Sequence, residues 1–539
     1  MRKHNLCNKE RGVALLIALL ALLLISAVGL GMVYMSSTET SINGNYKDTQ
    51  SAFFSMRGGL EEMRDRMRSN SVPPVPALTV PLIPAAQPGT AANTIVYITN
   101  PSGASDPVDP ATFGNAYFDD EFCHEQFSAV GAATPVGTPC TSAGAPPTGS
   151  VAPYVASMSP YTNTAGSLKY KWARITMKQN GTFPTTPVDS TQAAASPVCW
   201  DSMGNQEVVA GALGYADCNA ARSAGLNVSP TYLVTSVAVT PQGSRRVGQY
   251  EVAAFSITPP PSALALDGPA AVFNPAPNSS NYFANGNNSG AGSYTGPGGP
   301  AACAATGPAQ VPAITTGDQQ GVNNLIGPNG SAPSPNGSIP SGRQANYTGG
   351  PSNSNTPMPP PAIVNSGPTG SNPQLTGAWS TPSSLNALVA AIANGADQSL
   401  TCGIGTPCSF PPTGLGTDAS PLITFVNGDF NFGSNSGSGV LVVTGTLNIT
   451  GNSSFNGLIL IIGQGIMTEQ GSGHGQFNGS IFLAKTNSST APYAQLAALA
   501  SPLIQWNGGG TNGIQYNSCW ANIGNTMHYT VVASREEMY

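Results

Sequence analysis

"LITFVNGDFNFGSNSGSGVLVVTGTLNITGNSSFNGLILIIGQGIMTEQGSGHGQFNGSIFLAK", residues 422–485, decides the fold. Three times an apolar strand runs into a glycine, at Gly428, Gly445 and Gly463, and a second strand follows; the glycines are 17 and 18 residues apart. "FNG" occurs at 455–457 and again at 477–479. A period of this length suits one turn of a right-handed parallel β-helix, in which stacked strands bury rows of Val, Ile, Leu and Phe while Gly and Asn supply the corners. The spacing sets a register: Val440–Thr444 should lie between Ile423–Asn427 and Leu458–Ile462. Alternate side chains should enter one shared core. Of Leu441→Asp and Val442→Asp, one should then collapse the stack and the other be mild. The expected fold class is mainly β, with this solenoid at the C-terminal end.

Outward from that block, "SSLNALVAAIANGAD" (383–397) predicts a short helix. Ser383 or Ser384 can cap it, Leu385, Leu388, Val389 and Ile392 form its apolar stripe, and Gly395 ends it. Helix and solenoid together occupy 377–539. Residues 259–376 are dominated by Pro, Gly, Ser and Asn, a composition that fits a linker or irregular strands of the same solenoid. Residues 94–258 read as a β-rich module, and "TYLVTSVAVTPQGSRRVGQYEVAAFSI" (231–257) as a hairpin around "PQGSRR". Residues 70–93 are a Pro-rich connector.

The N-terminus is of another kind. Val13–Met35 carries no charge, and as a helix it would span roughly 34 Å, enough for a bilayer core. Arg2, Lys3, Lys9 and Arg11 precede it against Glu10 alone, which keeps the N-terminus cytoplasmic and sends the bulk outward. Beyond it, Phe53, Met56, Leu60, Met63 and Met67 recur at helical spacing as one stripe.

The boundary "RG|VALLIALL", the continuation "SSTETSINGNYKDTQSAFFSMRGGLEEMRDRM" and the hairpin together resemble the PilX-like minor pilins of type IV pili. The likeness extends more loosely to 263–539 as a β-solenoid of some PilX-like proteins. It implies a leader over 1–12, cut by a prepilin peptidase between Gly12 and Val13, and a core helix with its amphipathic continuation over 13–69. In the family a Ser/Thr-rich turn separates the span from the amphipathic helix. Most pilins carry Glu as fifth mature residue; here it is Ile17, as in PilX-like minor pilins and the tip pseudopilin of type II secretion. The resemblance implies an inner-membrane single-pass precursor with its bulk in the periplasm, later moved to the pilus or cell surface. Its partners would be other major and minor pilins, the peptidase and a surface glycan or host ligand. Two alternatives stand beside it: the tip pseudopilin, and a membrane-tethered glycan-binding β-helix.

Composition narrows the chemistry. Only 8% of residues are charged and the net charge is −6, which argues against nucleic acid. Nine cysteines occur; Cys7 is in the leader and eight follow the span, as expected for disulfides in an oxidising compartment. Cys123 and Cys140, Cys199 and Cys218, and Cys402 and Cys408 are candidate local pairs, although spacing does not fix connectivity. Catalysis on a β-helix needs several charged side chains on neighbouring rungs. Residues 422–485 offer Asp429, Glu469 and Lys485, with His474, so no enzymatic activity and no cofactor are expected. The densest acidic run is "YFDDEFCHE" (117–125). Asp119, Asp120 and Glu121 could ligate a cation, although a solvated loop is the commoner role of such a run.

Overall fold

A computed structural model of the protein describes residues 10–537 apart from short stretches, the longest being 68–82, 154–169, 300–307 and 329–336. Most of the leader and most of the Pro-rich connector lie outside the described residues. The protein is mainly β, 35% strand against 25% helix. The helix is dominated by one element, α1 (Glu10–Arg66), an uninterrupted 57 residues and about 85 Å long. The Ser/Thr-rich stretch forms no turn, contrary to the expectation. Thr38, Thr40 and Ser41 each donate their hydroxyl to the carbonyl four residues back. This satisfies the side chain without leaving the helix.

The second half of α1 packs on an antiparallel sheet. Met56, Leu60, Met63 and Met67 are buried against Tyr170, Ala173, Ile175, Tyr232, Val234 and Val252. The approach is close. A side chain at Gly59 would run into Ser236 and the Tyr170 ring, and one at Gly248 would meet Met56. The sheet contains Ile95–Thr99, Tyr170–Met177 and the hairpin Val228–Val239/Arg245–Ala254. The hairpin pairs Thr231 with Ala253 through Val239 with Arg245, around the expected turn, where Gly243 has φ 93°.

The edge of this sheet holds a surprise. Tyr529–Glu537, at the end of the region read as helix plus solenoid, is a strand of the N-terminal module, antiparallel to Arg245–Ala254. Everything between Ala254 and Tyr529 is therefore an insertion between two neighbouring strands of one sheet.

Within the insertion, Leu422–Asn427, Ser436–Val443, Ser454–Gly463 and Gln476–Asn487 pair in parallel. Ile423 faces Val440 and Val440 faces Leu458, the register expected from the glycine spacing. A second parallel sheet joins Phe430–Gly433, Thr446–Thr450, Ile466–Gln470 and Leu503–Trp506. Bends within these strands fall on glycine where φ is positive. Gly439, Gly457 and Gly479 stand in register at φ 127°, 151° and 133°, and a Cβ on any of them would strike the carbonyl oxygen of the preceding strand. Residues 259–376 contribute strands to the same sheet. Leu264–Asp267 pairs with Ile481–Ala484, Ile314–Thr316 with Leu264–Leu266, and Ile363–Asn365 with Ile314–Thr316. The chain thus enters at the middle of the stack, builds one way, crosses to the far end and winds back to the point of entry.

The crossing is the short helix Pro382–Asn394. Thr381 caps it, its Oγ1 accepting from the Ser384 N–H, with Pro382 in the first turn; neither Ser383 nor Ser384 is the cap. The stripe is as expected, and it corrects the expectation of a single core. Leu441 and Val443 point to an inner cluster with Ile459, Ile461, Ile481 and Leu483. Val440 and Val442 point outward, yet lie buried with Leu458, Leu460 and Phe482 beneath Leu385, Leu388, Val389, Ile392 and Trp379. Both faces are covered, so neither aspartate substitution would be mild.

Candidate functional site

Two features stand out: the uncovered half of α1 and the acidic loop behind the sheet. Among the described residues α1 is the helix long and apolar enough to cross a membrane, and its most apolar stretch is unburied. Leu23, Leu24, Ile25 and Leu30 are each more than 65% exposed. Such a surface is stable only in lipid or against other apolar helices. Gly12 and Val13 fall in the first turns of α1. Beyond Met35 the exposed apolar side chains thin to Ile42, Tyr46 and Phe54. The helix is therefore an apolar rod at one end and a packed domain element at the other.

The acidic loop is built into the opposite face of the sheet. Asp119, Glu121 and Glu125 are buried. Arg174, fully buried on the second sheet strand, sits between two carboxylates, with Nη1 3.1 Å from Asp119 Oδ2 and Nη2 2.9 Å from Glu125 Oε1. The Tyr97 hydroxyl donates to Asp119 (2.7 Å) and Gln249 Nε2 to Glu125 (2.6 Å). From the C-terminal strand, Arg535 reaches Glu121 at 2.8 Å and Glu125 at 3.4 Å. Asp120 is held by both terminal nitrogens of Arg245. Each weak metal candidate, Asp119, Asp120 and Glu121, is thus already paired with a guanidinium, and a cation would have to displace arginines from three different strands. The arrangement secures the loop, the hairpin and the last strand to one another. Burial pushes the Asp119 and Glu125 carboxyls up, and Arg174 pulls both back without cancelling it. Asp119, Glu121 and Glu125 outnumber Arg174 and Arg535 by one charge, so the buried cluster favours holding a proton.

Among the described residues three disulfides join Cys123–Cys140, Cys199–Cys218 and Cys402–Cys408. Cys519 is disulfide-bonded as well. His124 lies near Cys123 and Cys140, but those sulfurs are bonded to each other and offer no thiolate to a metal; His124 Nδ1 is 2.9 Å from the Thr134 carbonyl. Sequence reasoning found the acidic run and the cysteine pairs but missed Arg174, Arg245, Gln249 and Arg535. Their only local signal was the rarity of charge in strands that are otherwise apolar. Compared with protein-family models, curated proteins and solved structures, the chain matches none.

Proposed function

We propose that the protein is a minor pilin of the PilX type, and that its inserted domain is a right-handed parallel β-helix displayed on a type IV pilus. The observation that carries this reading is α1: one helix, bare and apolar over its first half, seated on an antiparallel sheet over its second. A precursor built this way sits in the inner membrane through Val13–Met35. After cleavage behind Gly12 the same surface is buried again, among neighbouring helices in a fibre. The exchange of lipid for helix partners is near neutral in hydrophobic terms, so the subunit can leave the membrane without exposing its apolar rod to water. Ile17 cannot pair with a neighbour's new N-terminal amine, which suits the uppermost position, where no subunit above is contacted.

The β-helix reading is supported by parallel ladders in register over successive strands, by positive-φ glycines stacked at one bend within those strands, and by the rule that parallel crossovers are right-handed. The role is assembly and presentation, with adhesion or structural support as its outcome. The test is the N-terminal sequence of the mature protein. Cleavage between Gly12 and Val13, abolished by Gly12→Leu, is expected. A mature chain that begins at Met1, or beyond Met35, overturns the pilin reading.

A further inference from the structure

We propose that the shallow cavity beside the Cys402–Cys408 loop binds a neutral glycan. The site deepens the reading of the inserted domain as an outwardly displayed β-helix and rests on it. The cavity, about 530 Å³, is lined by Ser409, Phe410, Pro412, Asn431 and Asn435 among others, and none of its lining residues is charged. An anionic or cationic ligand would find no counter-charge there, whereas a polyhydroxylated neutral one needs none.

The walls are fixed in advance. The disulfide closes the loop, and Cys408 and Ser409 pair in parallel with Phe430 and Asn431, which sets Ser409 beside Asn431. Phe410 is half-buried and stands edge-on to the fully buried Phe432 at 5.5 Å. Its ring is thus a supported apolar platform of the kind on which the C–H face of a sugar stacks.

The polar atoms point to the same ligand. Asn431 Oδ1 accepts from Asn448 Nδ2 (3.0 Å), and Asn435 Nδ2 donates to the Phe432 carbonyl (2.7 Å). Among the described residues, the Asn431 amide NH2, the Asn435 side-chain oxygen and the Ser409 hydroxyl then have no protein partner. Donors and an acceptor with unspent capacity, next to an aromatic ring on a rigid scaffold, make a small-ligand site. The amide row continues along the stack, because Thr468 Oγ1 donates to Asn448 Oδ1 (2.6 Å). Successive strands repeat at about 4.8 Å, close to the advance of one sugar in an extended polysaccharide. A chain that starts in the cavity could set successive residues against Asn448 and Thr468.

The test uses the full-length protein in detergent micelles and calorimetric titration. The probes are β-linked hexasaccharides of glucose and of N-acetylglucosamine, with polygalacturonate and heparin fragments as charged counterparts. A neutral hexasaccharide should bind, and the charged ones should not. Asn431→Ala removes an amide, and Ser409→Arg blocks the mouth; both residues are exposed. Each should weaken binding at least about tenfold, or 1.4 kcal/mol, with thermal unfolding unchanged. Failure of every neutral probe to bind, binding of charged probes equal to that of neutral ones, or wild-type affinity in both variants overturns the site. Leader cleavage and fibre incorporation are scored on the same variants. Lost sugar binding with normal fibres would leave the pilin reading standing.

Discussion

Leu441 and Val442 are adjacent, both fully buried, and face opposite sides of one strand. Truncation to alanine tests whether both sides are core. Leu441→Ala deletes three carbons from the inner cluster, about 2.4 kcal/mol of transfer free energy at ~0.8 kcal/mol per carbon. The residual cavity raises this to about 3–5 kcal/mol. Leu441 stands in register between Thr424 and Ile459, on paired strands that can collapse little. Val442→Ala deletes two carbons, about 1.6 kcal/mol by transfer and about 2–3 with its cavity. Val442 lies between Phe425 and Leu460, within the cluster that includes the helix Pro382–Asn394. The assay is denaturant unfolding followed by far-UV circular dichroism, with limited proteolysis to locate the damage. Val442→Ala should open the helix to protease before the strands, and Leu441→Ala should release both together. The reasoning is refuted if either substitution costs under about 1 kcal/mol, since one face of the strand would then be open to solvent.

Three further outcomes are expected. Gly59→Ala gains about 1 kcal/mol of helix propensity but pushes on the buried Tyr170 ring, so the thermal midpoint should fall; Gly248→Ala meets only the flexible Met56 side chain and should cost less. Asp267 is buried with one carboxylate oxygen unpartnered, and burial holds its pKa well above the usual carboxylate value. Its folded form favours the proton, so wild-type stability should decline as pH rises from about 4 through the raised pKa; Asp267→Asn, followed by unfolding titrations from pH 4 to 8, should flatten that decline. Arg535→Gln strips Glu121 and Glu125 of a cation; a third of Arg535 is exposed, so the loss should be about 1–3 kcal/mol rather than the full buried-pair value, and hydrogen exchange should quicken first in Tyr529–Glu537.

Where contacts are local or periodic, the chain discloses its fold in advance. The 17- and 18-residue glycine spacing placed Val440 against Ile423 and Leu458 because each strand of the parallel ladder repeats the last. Burial on both faces was also written there, in the unbroken runs "GVLVV" and "GLILII", since a strand open on one side would alternate. The cap at Thr381 was signalled by Pro382, which favours the first helical turn. What stayed hidden is long-range. Nothing near "YFDDEFCHE" announces that its partners are Arg174, Arg245 and Arg535, because long-range sheet pairing brings them together, for Arg535 across the whole insertion. The strands of 259–376 are two to four residues long and fall below any periodic signal. The last strand has strand-like residues, but its partner lies more than 270 positions earlier.

The insertion between Ala254 and Tyr529 has a mechanical consequence. These two residues face each other across one ladder, so the large domain is tied to the sheet by two covalent strands side by side. A pull on the domain draws both strands in the same direction. The ladder between them is not unzipped. The load passes instead to the long pairing of Arg245–Ala254 with Val228–Val239, which is sheared along its length, so that its hydrogen bonds resist together rather than one at a time. A single tether would act as a swivel; paired tethers resist torsion and hold the domain at a set orientation.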